Sequence, residues 1–418
     1  MSKIKINNFG PINVGCQEND GWIEVKKVTV FIGNQGSGKS TVAKLISTFS
    51  WIEKALTRGD YDIKWFTRKN KFRNTYCSYH RLENYFFDIN GNDTADLEYR
   101  GDSYSMKYQK GDFSIVESTQ KNTYSLPQIM YVPAERNFIS TVKSPKLLKL
   151  SSDSLVEFLT EFDNAKMEVK SGGLQLPINN TNIEYDKLND IINIKGEDYK
   201  VRLTEASSVF QSVVPLYLVS WYLANSVKKQ TESSREPMSS DELERFKKGV
   251  AEIWANGNLT DEQKRVALSV LSSKFNKTAL INIVEEPEQN LFPSSQRQML
   301  NSLLEFNNIS SDNKLIITTH SPYIINFLSI AIQGNILKDK IENSENSKGA
   351  LTALNGVVPV RSITAASDVA VYQLDEADGS IQELDSYEGI PSDENYLNQS
   401  LAEGNALFDS LLEIEQGL

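Results

Sequence analysis

The pattern of apolar and polar residues near the start of the chain predicts strands, a loop and a helix in quick succession. Residues 4–8 and 22–25 are short apolar stretches typical of strands, and a glycine–proline pair between them favours a turn. Residues 28–32 are rich in β-branched side chains and predict a buried strand. Residues 40–56 carry apolar side chains at the spacing of one helix face. A glycine-rich loop therefore joins a strand to a helix.

The middle of the chain has a different pattern. Residues 82–130 alternate polar and apolar positions between turn residues, which is typical of an antiparallel meander. Residues 147–165 and 203–225 have the spacing of helices. Residues 230–273 are polar and rich in helix-forming residues, and they begin with a linker at 230–240 whose composition is typical of disorder. We therefore predict an antiparallel β lobe and a helical lobe.

Two later runs are almost wholly apolar. Residues 280–284 and 315–319 lack polar alternation, as expected for strands that are buried on both faces of a parallel sheet. Residues 341–349 are polar and predict an exposed loop. These patterns predict an α/β fold with a mostly parallel core sheet.

The length of 418 residues suits one large domain or two. We assign residues 1–330 to the main domain, with helical insertions at about 50–80 and 230–275. Residues 331–418 form an acidic C-terminal part, which we expect to complete that domain and to be a candidate surface for docking a partner.

The composition is ordinary for a globular protein, with 39% hydrophobic and 24% charged residues. Cys16 and Cys77 are too few for a disulfide framework, which suits a reducing compartment. The first residues lack the apolar core of a signal peptide, and no apolar run approaches the about 18 residues of a membrane span. We therefore predict a cytoplasmic protein.

Charge is unevenly distributed along the chain. The net charge is −11, yet residues 362–418 contain thirteen Asp and Glu and no Lys or Arg, so the rest of the chain is slightly positive. Residues 64–81 contain six Lys and Arg, several aromatic residues and no acid. The two segments present opposite fields, and each can steer a different partner.

The glycine-rich loop has the spacing G-x-x-x-x-G-K-S of a phosphate-binding loop. Glycines permit tight turns that direct backbone N–H groups at phosphate oxygens, and the following helix N-terminus adds partial positive charge. Lys39 is predicted to bind the β- and γ-phosphates of ATP, and the Ser40 hydroxyl is predicted to ligate Mg²⁺. The predicted nucleotide-binding residues are Gly33, Asn34, Gln35, Gly36, Ser37, Gly38, Lys39, Ser40 and Thr41.

Two strand ends carry the remaining chemistry. The strand at 280–284 runs into Glu285, which is predicted to hold Mg²⁺ together with Ser40, directly or through water. Glu286 follows and is placed to polarise the attacking water. The next strand ends at His320, which we expect to sense the γ-phosphate or to orient that water. We therefore predict Glu286 and His320 as catalytic; the alternatives are an acidic surface turn and a structural histidine.

Together these motifs resemble those of the ABC-type ATPases of the RecF, SMC and OLD group. The resemblance rests on EEPEQNLFP at residues 285–293, TTHSP at residues 318–322 and the opening INNFGPI, and it spans essentially the whole chain. It implies that residues 1–330 form an ABC-type P-loop head. It also implies that ATP lies between two heads, each of which presents a signature helix to the γ-phosphate of the other. The expected assembly is a homo-oligomer built from head dimers.

The resemblance also marks two less typical segments. Ser207 and Ser208 precede a long apolar helix at the place of the signature, and they are assigned to the contact with the second head. An ordinary helix N-cap is the alternative. Glu135 and Arg136 lie in a PAER segment and are expected near the nucleotide, with a surface ion pair as the alternative.

The arrangement of the motifs narrows the choice within the group. The interval between Lys39 and Glu285 has no sustained heptads, which argues against the long arms of an SMC tether. No clear acidic metal motif of a Toprim nuclease follows His320, so a nuclease would be a separate chain. This combination most resembles the ATPase subunits of the PARIS phage-defence systems.

That resemblance implies a scaffold and sensor subunit with slow ATP hydrolysis. Such a subunit would hold a Toprim-type nuclease subunit inactive until a phage-encoded anti-restriction protein triggers its release, and release would lead to abortive infection. The alternative is a RecF-like DNA-repair ATPase that acts directly on DNA.

The basic segment at residues 64–81 bears on both interpretations. An acidic anti-restriction protein that mimics DNA is one candidate partner, DNA phosphates are a second, and a solvated insertion without a partner is the third. The acidic residues of 362–418 are predicted either to dock a basic partner or only to add solubility.

Overall fold

The fold is described from a computed structural model of the chain. It describes residues 2–118, 124–142, 152–232, 240–256, 277–344 and 347–416, and the single residues 145, 148, 150, 264, 267 and 271. The strands are β1 (Lys3–Asn7), β2 (Gly15–Cys16), β3 (Ile23–Glu24), β4 (Val28–Gly33), β5 (Asp96–Arg100), β6 (Tyr104–Gln109), β7 (Asp112–Glu117), β8 (Pro127–Val132), β9 (Leu174–Gln175), β10 (Asn182–Asp186), β11 (Ile191–Lys195), β12 (Lys200–Arg202), β13 (Ala279–Glu285), β14 (Lys314–Thr319), β15 (Val369–Leu374), β16 (Ser380–Glu383), β17 (Ser386–Tyr387) and β18 (Ile390–Pro391). The helices are α1 (Lys39–Arg58), α2 (Ile63–Phe66), α3 (Phe138–Thr141), α4 (Asp153–Met167), α5 (Ser208–Glu232), α6 (Ser240–Ala255), α7 (Pro293–Asn307), α8 (Pro322–Glu342), α9 (Ser347–Val357) and α10 (Tyr396–Gln416).

A seven-stranded sheet lies at the centre, in the order β2-β16-β15-β4-β14-β13-β8. The five strands from β15 to β8 are parallel. Every residue of β4 and of β13 is buried, as expected for parallel strands covered on both faces. The predicted buried strands at 28–32, 280–284 and 315–319 are confirmed, and so is the α/β fold with a mostly parallel core sheet.

Successive residues of β4 face two separate hydrophobic clusters, because side chains of a strand alternate between its faces. Val30 and Ile32 join a cluster with α4, α5, α7 and α8, which also covers the small antiparallel sheet β12-β11-β10-β9. Phe31 joins the other cluster, with α1 and the antiparallel sheet β3-β1-β5-β6-β7. The central sheet thus separates a helical lobe from an antiparallel β lobe, as the sequence predicts.

Helix α1 confirms the prediction of a helix at 40–56. Its apolar residues Val42, Leu45 and Phe49 are fully buried in the cluster that also contains residues of the central sheet and of the antiparallel sheet. The helix ends at Gly59, whose φ of 73° is in the left-handed region that favours glycine at a helix C-terminus. At its other end, α1 begins at Lys39, directly after the last glycine of the loop.

The predicted meander at residues 82–130 is too long at both ends. Strands β5, β6 and β7 form it, whereas β8 leaves it and pairs with β13 in the central sheet. All six residues of β8 are buried. A strand of six residues is too short for its sequence pattern to show whether one face or both faces are buried.

Two helices begin later than predicted. The helix predicted at 147–165 begins at Asp153, where the Ser152 hydroxyl accepts a hydrogen bond from the N–H of Leu155. The helix predicted at 203–225 is α5; Leu203–Glu205 forms a separate 3₁₀ turn before it. Most of the predicted linker at 230–240 and most of residues 257–276 lie outside the described residues.

The predicted exposed loop at residues 341–349 is shorter in the structure. Helix α8 ends at Glu342, and α9 begins at Ser347. Residues 342–344, 348 and 349 are exposed, whereas Ile341 is buried in a small cluster with Leu354 and Val358, so the first position of the predicted loop belongs to the helix.

The residues after 330 continue the same fold. Residue 330 lies inside α8, and β15 and β16 belong to the central sheet. The division of the chain after residue 330 stays a prediction. Among the described helices, none combines the length and the apolar character of a membrane-spanning segment.

Candidate functional site

The glycine-rich loop follows β4 at the carboxyl edge of the parallel sheet. Gly33 has φ of 144° and Gly38 has φ of 99°. A Cβ at Gly33 would lie 2.4 Å from the carbonyl oxygen of Leu374, and a Cβ at Gly38 would lie 2.8 Å from Cγ1 of Ile12. The loop can therefore follow this path only with glycine at both positions, and it leads directly into the N-terminus of α1.

Lys39 is the first residue of α1, and its side chain folds back over the loop. Its ammonium donates to the carbonyl oxygens of Gly33 at 2.9 Å and Asn34 at 2.7 Å. It also lies 3.4 Å from Nδ1 of His320. Burial lowers the pKa of Lys39 to about 8. A cation held inside the loop in this way is what phosphate binding requires.

Glu285 ends β13 on the face of the sheet that α1 covers, because Ile281 and Ile283 of the same strand pack in that cluster. The carboxylate is buried, and its Oε2 accepts a hydrogen bond from the backbone N–H of Ala134 at 3.0 Å. Ser40 is half-buried at the start of α1.

The oxygens of these two side chains fit Mg²⁺. Hydroxyl and carboxylate oxygens are the ligands that this ion prefers. Within the described residues, no group of three or more His, Cys, Asp and Glu could hold a metal. One carboxylate and one hydroxyl suit an ion that takes its other ligands from phosphates and water. When bound, Mg²⁺ would offset the charge of the phosphates.

Glu286 and His320 meet where β13 and β14 end. Nε2 of His320 lies 3.5 Å from Oε1 of Glu286. The hydrogen bond from His320 lowers the pKa of Glu286, so its carboxylate is charged near neutral pH. Glu286 has φ of 45°, which is uncommon for any residue except glycine, and its N–H donates to the carbonyl oxygen of Thr318 at 2.8 Å. Surrounding contacts must hold this turn in place.

Glu288 holds His320 from the other side. Its buried Oε1 accepts hydrogen bonds from the Thr319 hydroxyl and from the backbone N–H of His320, both at 2.8 Å. The sequence motif contains Glu288, but sequence reasoning assigned it no role. The structure makes it the residue that fixes the end of β14 against the turn after β13.

Arg136 contacts the backbone of the turn that carries the two glutamates. Its guanidinium is fully buried and donates to the carbonyl oxygens of Glu285 and Glu286, each at 2.6 Å. Its Nε donates to the carbonyl oxygen of Ser212 in α5 at 3.3 Å. A surface ion pair is wrong for Arg136, because the side chain is buried; Glu135 next to it is exposed.

The start of α5 is linked to this turn, but its first residues face away from the protein. The Ser212 hydroxyl donates to Oε1 of Gln289 at 3.1 Å. Ser207 and Ser208 are exposed at the beginning of the helix. The backbone carbonyl of Ser207 accepts from Gln211, as an N-cap residue does. Ser207 therefore also fits the N-cap alternative.

The acidic C-terminal part reaches the glycine-rich loop, which the sequence did not predict. Asn34 donates to Oε1 of Glu376 at 2.8 Å. A cavity of about 610 Å³ lies between the loop, His320 and the start of α10, with Asp375 and Glu403 in its wall. Acids close to a phosphate site repel an anion, so this wall bounds the region that the triphosphate can occupy.

Comparisons with known proteins give one match to a family model and two similar solved structures. Residues 262–325, which include β13, β14 and the turn of the two glutamates, match the family described as AAA ATPase domain. The fold is similar to an SMC head bound to the C-terminal winged-helix domain of ScpA, with 10% identity and a TM-score of 0.36 over 91% of this chain and 96% of that chain. It is also similar to the dimeric, post-hydrolysis ATP-binding cassette MJ0796 bound to ADP and phosphate, with 10% identity and a TM-score of 0.26 over 93% of this chain and all of that chain. No curated protein matches the chain.

The fold and the site define a class. A glycine loop between β4 and α1, an acidic end of β13 and the AAA ATPase match place an ATPase site of the P-loop type in this α/β fold.

Proposed function

We propose that the chain binds ATP with Mg²⁺ between two copies of itself and hydrolyses it slowly. The observation that carries this proposal is the placement of the two half-sites. His320 lies between Lys39 and Glu286 and contacts both within one copy, whereas Ser208 is exposed at the N-terminus of a 25-residue helix. A helix N-terminus attracts anions, so an exposed one is suited to the γ-phosphate of another copy.

Each residue of the half-site has a role in this proposal. Lys39 binds the β- and γ-phosphates, and the charged carboxylate of Glu286 accepts a proton from the attacking water. His320 orients Glu286. Arg136 acts as a positioning residue, because it holds the backbone of the two glutamates and that of α5 together.

At a finer level, we propose a nucleotide-gated scaffold and sensor in antiviral defence. The support is the resemblance of the motifs to AriA, the ATPase subunit of the PARIS phage-defence system. The proposed partners are a Toprim-type nuclease subunit, held inactive in the complex, and a phage-encoded anti-restriction protein that triggers its release. The basic segment at 64–81 is the proposed site for that acidic protein.

Co-purification tests the finer proposal. The chain is expressed together with a Toprim-type nuclease subunit, with a tag on one partner only, and the complex is isolated after nuclease treatment to remove DNA. We expect a stable complex that dissociates when the anti-restriction protein is added. Failure of the two chains to associate, with ATP hydrolysis intact, would reject the defence role and leave the ATPase proposal standing.

A RecF-like DNA-repair ATPase is the second candidate function, and the basic segment favours it. Arg68 and Lys71 lie 4.3 and 4.4 Å from the ring of Trp65, on which Tyr61 also stacks, so two cations are held next to an aromatic cluster. Such a combination suits single-stranded nucleic acid. This function predicts DNA-stimulated ATP turnover that falls steeply with salt, whereas the scaffold predicts turnover that is indifferent to DNA.

A further inference from the structure

A second cavity lies beside the middle of α1, away from the ATP site. Its volume is about 320 Å³, and its wall includes Ser47, Thr48 and Trp51 of α1. These residues follow Lys39 by two to three helix turns, which is about 12–18 Å along the helix axis. None of the residues that line it also lines the cavity at the glycine-rich loop.

The floor of this cavity is buried and carries an unpaired polar atom. His80 is 3% exposed, and its Nδ1 has no hydrogen-bond partner. Its ring lies 4.7 Å from that of Tyr131 and 4.8 Å from that of Tyr79, measured between centroids. Burial lowers the pKa of His80 to about 3, so the imidazole is neutral near pH 7. A buried polar atom without a partner costs free energy that a ligand can recover.

The mouth of the cavity is aromatic. Trp51 is 40% exposed and lies 5.5 Å from the ring of Tyr76. The Tyr76 hydroxyl is held in place by the indole N–H of Trp65 at 2.9 Å. Flat faces fixed in this way offer stacking surfaces to a planar ring.

The charged residues of the wall are both acids. Asp153 and Glu157 line the cavity, and the hydroxyl of Tyr79 donates a hydrogen bond to Glu157. Burial raises the pKa of Glu157. A phosphorylated ligand would bring negative charge to these carboxylates, which disfavours it. An uncharged ring with polar edges is favoured.

We propose that this cavity is a second small-molecule site, which binds an uncharged nucleobase or nucleoside. The base stacks on the aromatic side chains at the mouth, and one polar atom of its edge forms a hydrogen bond with Nδ1 of His80. The site is separate from the ATP site, because its wall disfavours phosphates and lies farther along α1.

The test is a titration of the full chain with adenosine, guanosine and cytidine, followed by calorimetry and saturation-transfer NMR. Each nucleoside is added with and without saturating ATP, and its 5′-monophosphate is titrated in parallel. We expect at least one nucleoside to bind with a Kd that ATP does not change, and its monophosphate to bind more weakly. Absence of saturable binding by all three, or displacement by ATP, would overturn the proposal.

Variants assign the binding to this cavity. His80→Phe keeps a ring but removes the nitrogen, and we expect the Kd to rise about tenfold, the effect of losing one hydrogen bond of about 1.4 kcal/mol. Ser47→Leu fills the cavity from the opposite wall and is expected to abolish binding even if His80→Phe proves unstable. Tyr387→Phe, at an exposed tyrosine, is the control. An unchanged Kd in both cavity variants, with melting temperatures near that of the parent, contradicts the assignment.

Discussion

At the scale of single residues, Glu286 combines an unusual backbone with a paired carboxylate. Its φ of 45° is held by the hydrogen bond to Thr318 and by Arg136, which binds its carbonyl oxygen. A residue in the left-handed region costs about 1–2 kcal/mol relative to ordinary conformations. Tertiary contacts therefore maintain the turn, and the result is a charged carboxylate beside His320.

The first prediction concerns this carboxylate. Glu286→Gln keeps the size and removes the basic oxygen, so we expect ATP to bind with little change in Kd and to be hydrolysed at least about 100-fold more slowly. Single-turnover measurements with the Mg²⁺ complex of ATP separate binding from hydrolysis. The matched control is Glu197→Gln, at an exposed glutamate in the turn between β11 and β12. Unchanged turnover in Glu286→Gln would remove this residue as the base.

The second prediction follows from the pKa of Lys39, which burial lowers to about 8. Well above that pH the free protein holds Lys39 mostly neutral, and the charge of the triphosphate raises the pKa again. ATP binding is therefore expected to take up close to one proton at about pH 9 and almost none from Lys39 at about pH 7. Calorimetry in two buffers of different ionisation enthalpy measures this uptake.

Two outcomes are expected if Lys39 takes up this proton. Binding enthalpy at the higher pH must depend on the buffer, and ATP affinity must fall as the pH rises through about 8. Equal enthalpies in both buffers would show that Lys39 is charged throughout, in conflict with its burial.

The sequence predicted the residues of this site better than their contacts. Lys39, Glu286 and His320 follow from local motifs, and the structure brings them within hydrogen-bonding distance or close to it. The role of Arg136 could not be predicted, because its partners lie about 150 residues away in the sequence. Local pattern does not distinguish a buried guanidinium that binds carbonyl oxygens from an exposed one.

At the scale of elements, the strands and helices with strong periodicity were predictable. The bounds of strand β4 and helix α1 lie within two residues of the predicted ones, because the burial of their apolar side chains determines where both elements form. Strand β8 was predicted in the wrong sheet, and the loop between α8 and α9 was predicted too long. In both cases a tertiary contact, pairing with β13 or burial of Ile341, decides the local structure.

The third prediction uses the two glycines at the ends of α1. Gly38 and Gly59 both have left-handed backbones, but a Cβ at Gly38 meets Cγ1 of Ile12 at 2.8 Å and a Cβ at Gly59 meets nothing within 4 Å. Gly59→Ala should therefore lower the free energy of unfolding by about 1 kcal/mol and leave ATP binding intact. Gly38→Ala should lower it further and abolish ATP binding.

Denaturant unfolding and nucleotide titration of the two variants check this contrast. The same substitution at the two ends of one helix separates the conformational cost from the steric cost. Equal losses of stability, with ATP binding retained in both, would show that the loop relaxes around Ile12 and does not depend on glycine at this position.

At the scale of the whole molecule, the proposed function divides the ATP site between the loop and strand ends of one copy and the exposed start of α5 of another. Ser212 and Gln289 tie that helix to the turn of the glutamates, and Arg136 binds both. A shift of α5 in one copy would therefore change the position of Glu286 in the same copy through these hydrogen bonds. Assembly and hydrolysis are expected to depend on each other for this reason.

The last prediction tests this dependence by mixing inactive variants. Lys39→Ala removes the phosphate-binding lysine and leaves α5 intact. Ser208→Glu places a negative charge at the start of α5, which repels a γ-phosphate but suits a helix N-terminus, so the variant should fold. Each variant alone should be inactive. In an equal mixture, half of the dimers pair the two variants and contain one intact site out of two, so turnover should return to about one quarter of the parent value.

The control mixture combines Lys39→Ala with Glu286→Gln. Both substitutions lie in the same half of the site, so every site in the mixed dimer carries a defect and no recovery is expected. Turnover measured over a range of protein concentrations should also rise more steeply than in proportion, because only dimers hydrolyse ATP. No recovery in the test mixture, when both variants exchange subunits, would mean that the start of α5 does not act on the ATP of a second copy. Recovery in the control mixture would mean that Lys39 and Glu286 serve different sites.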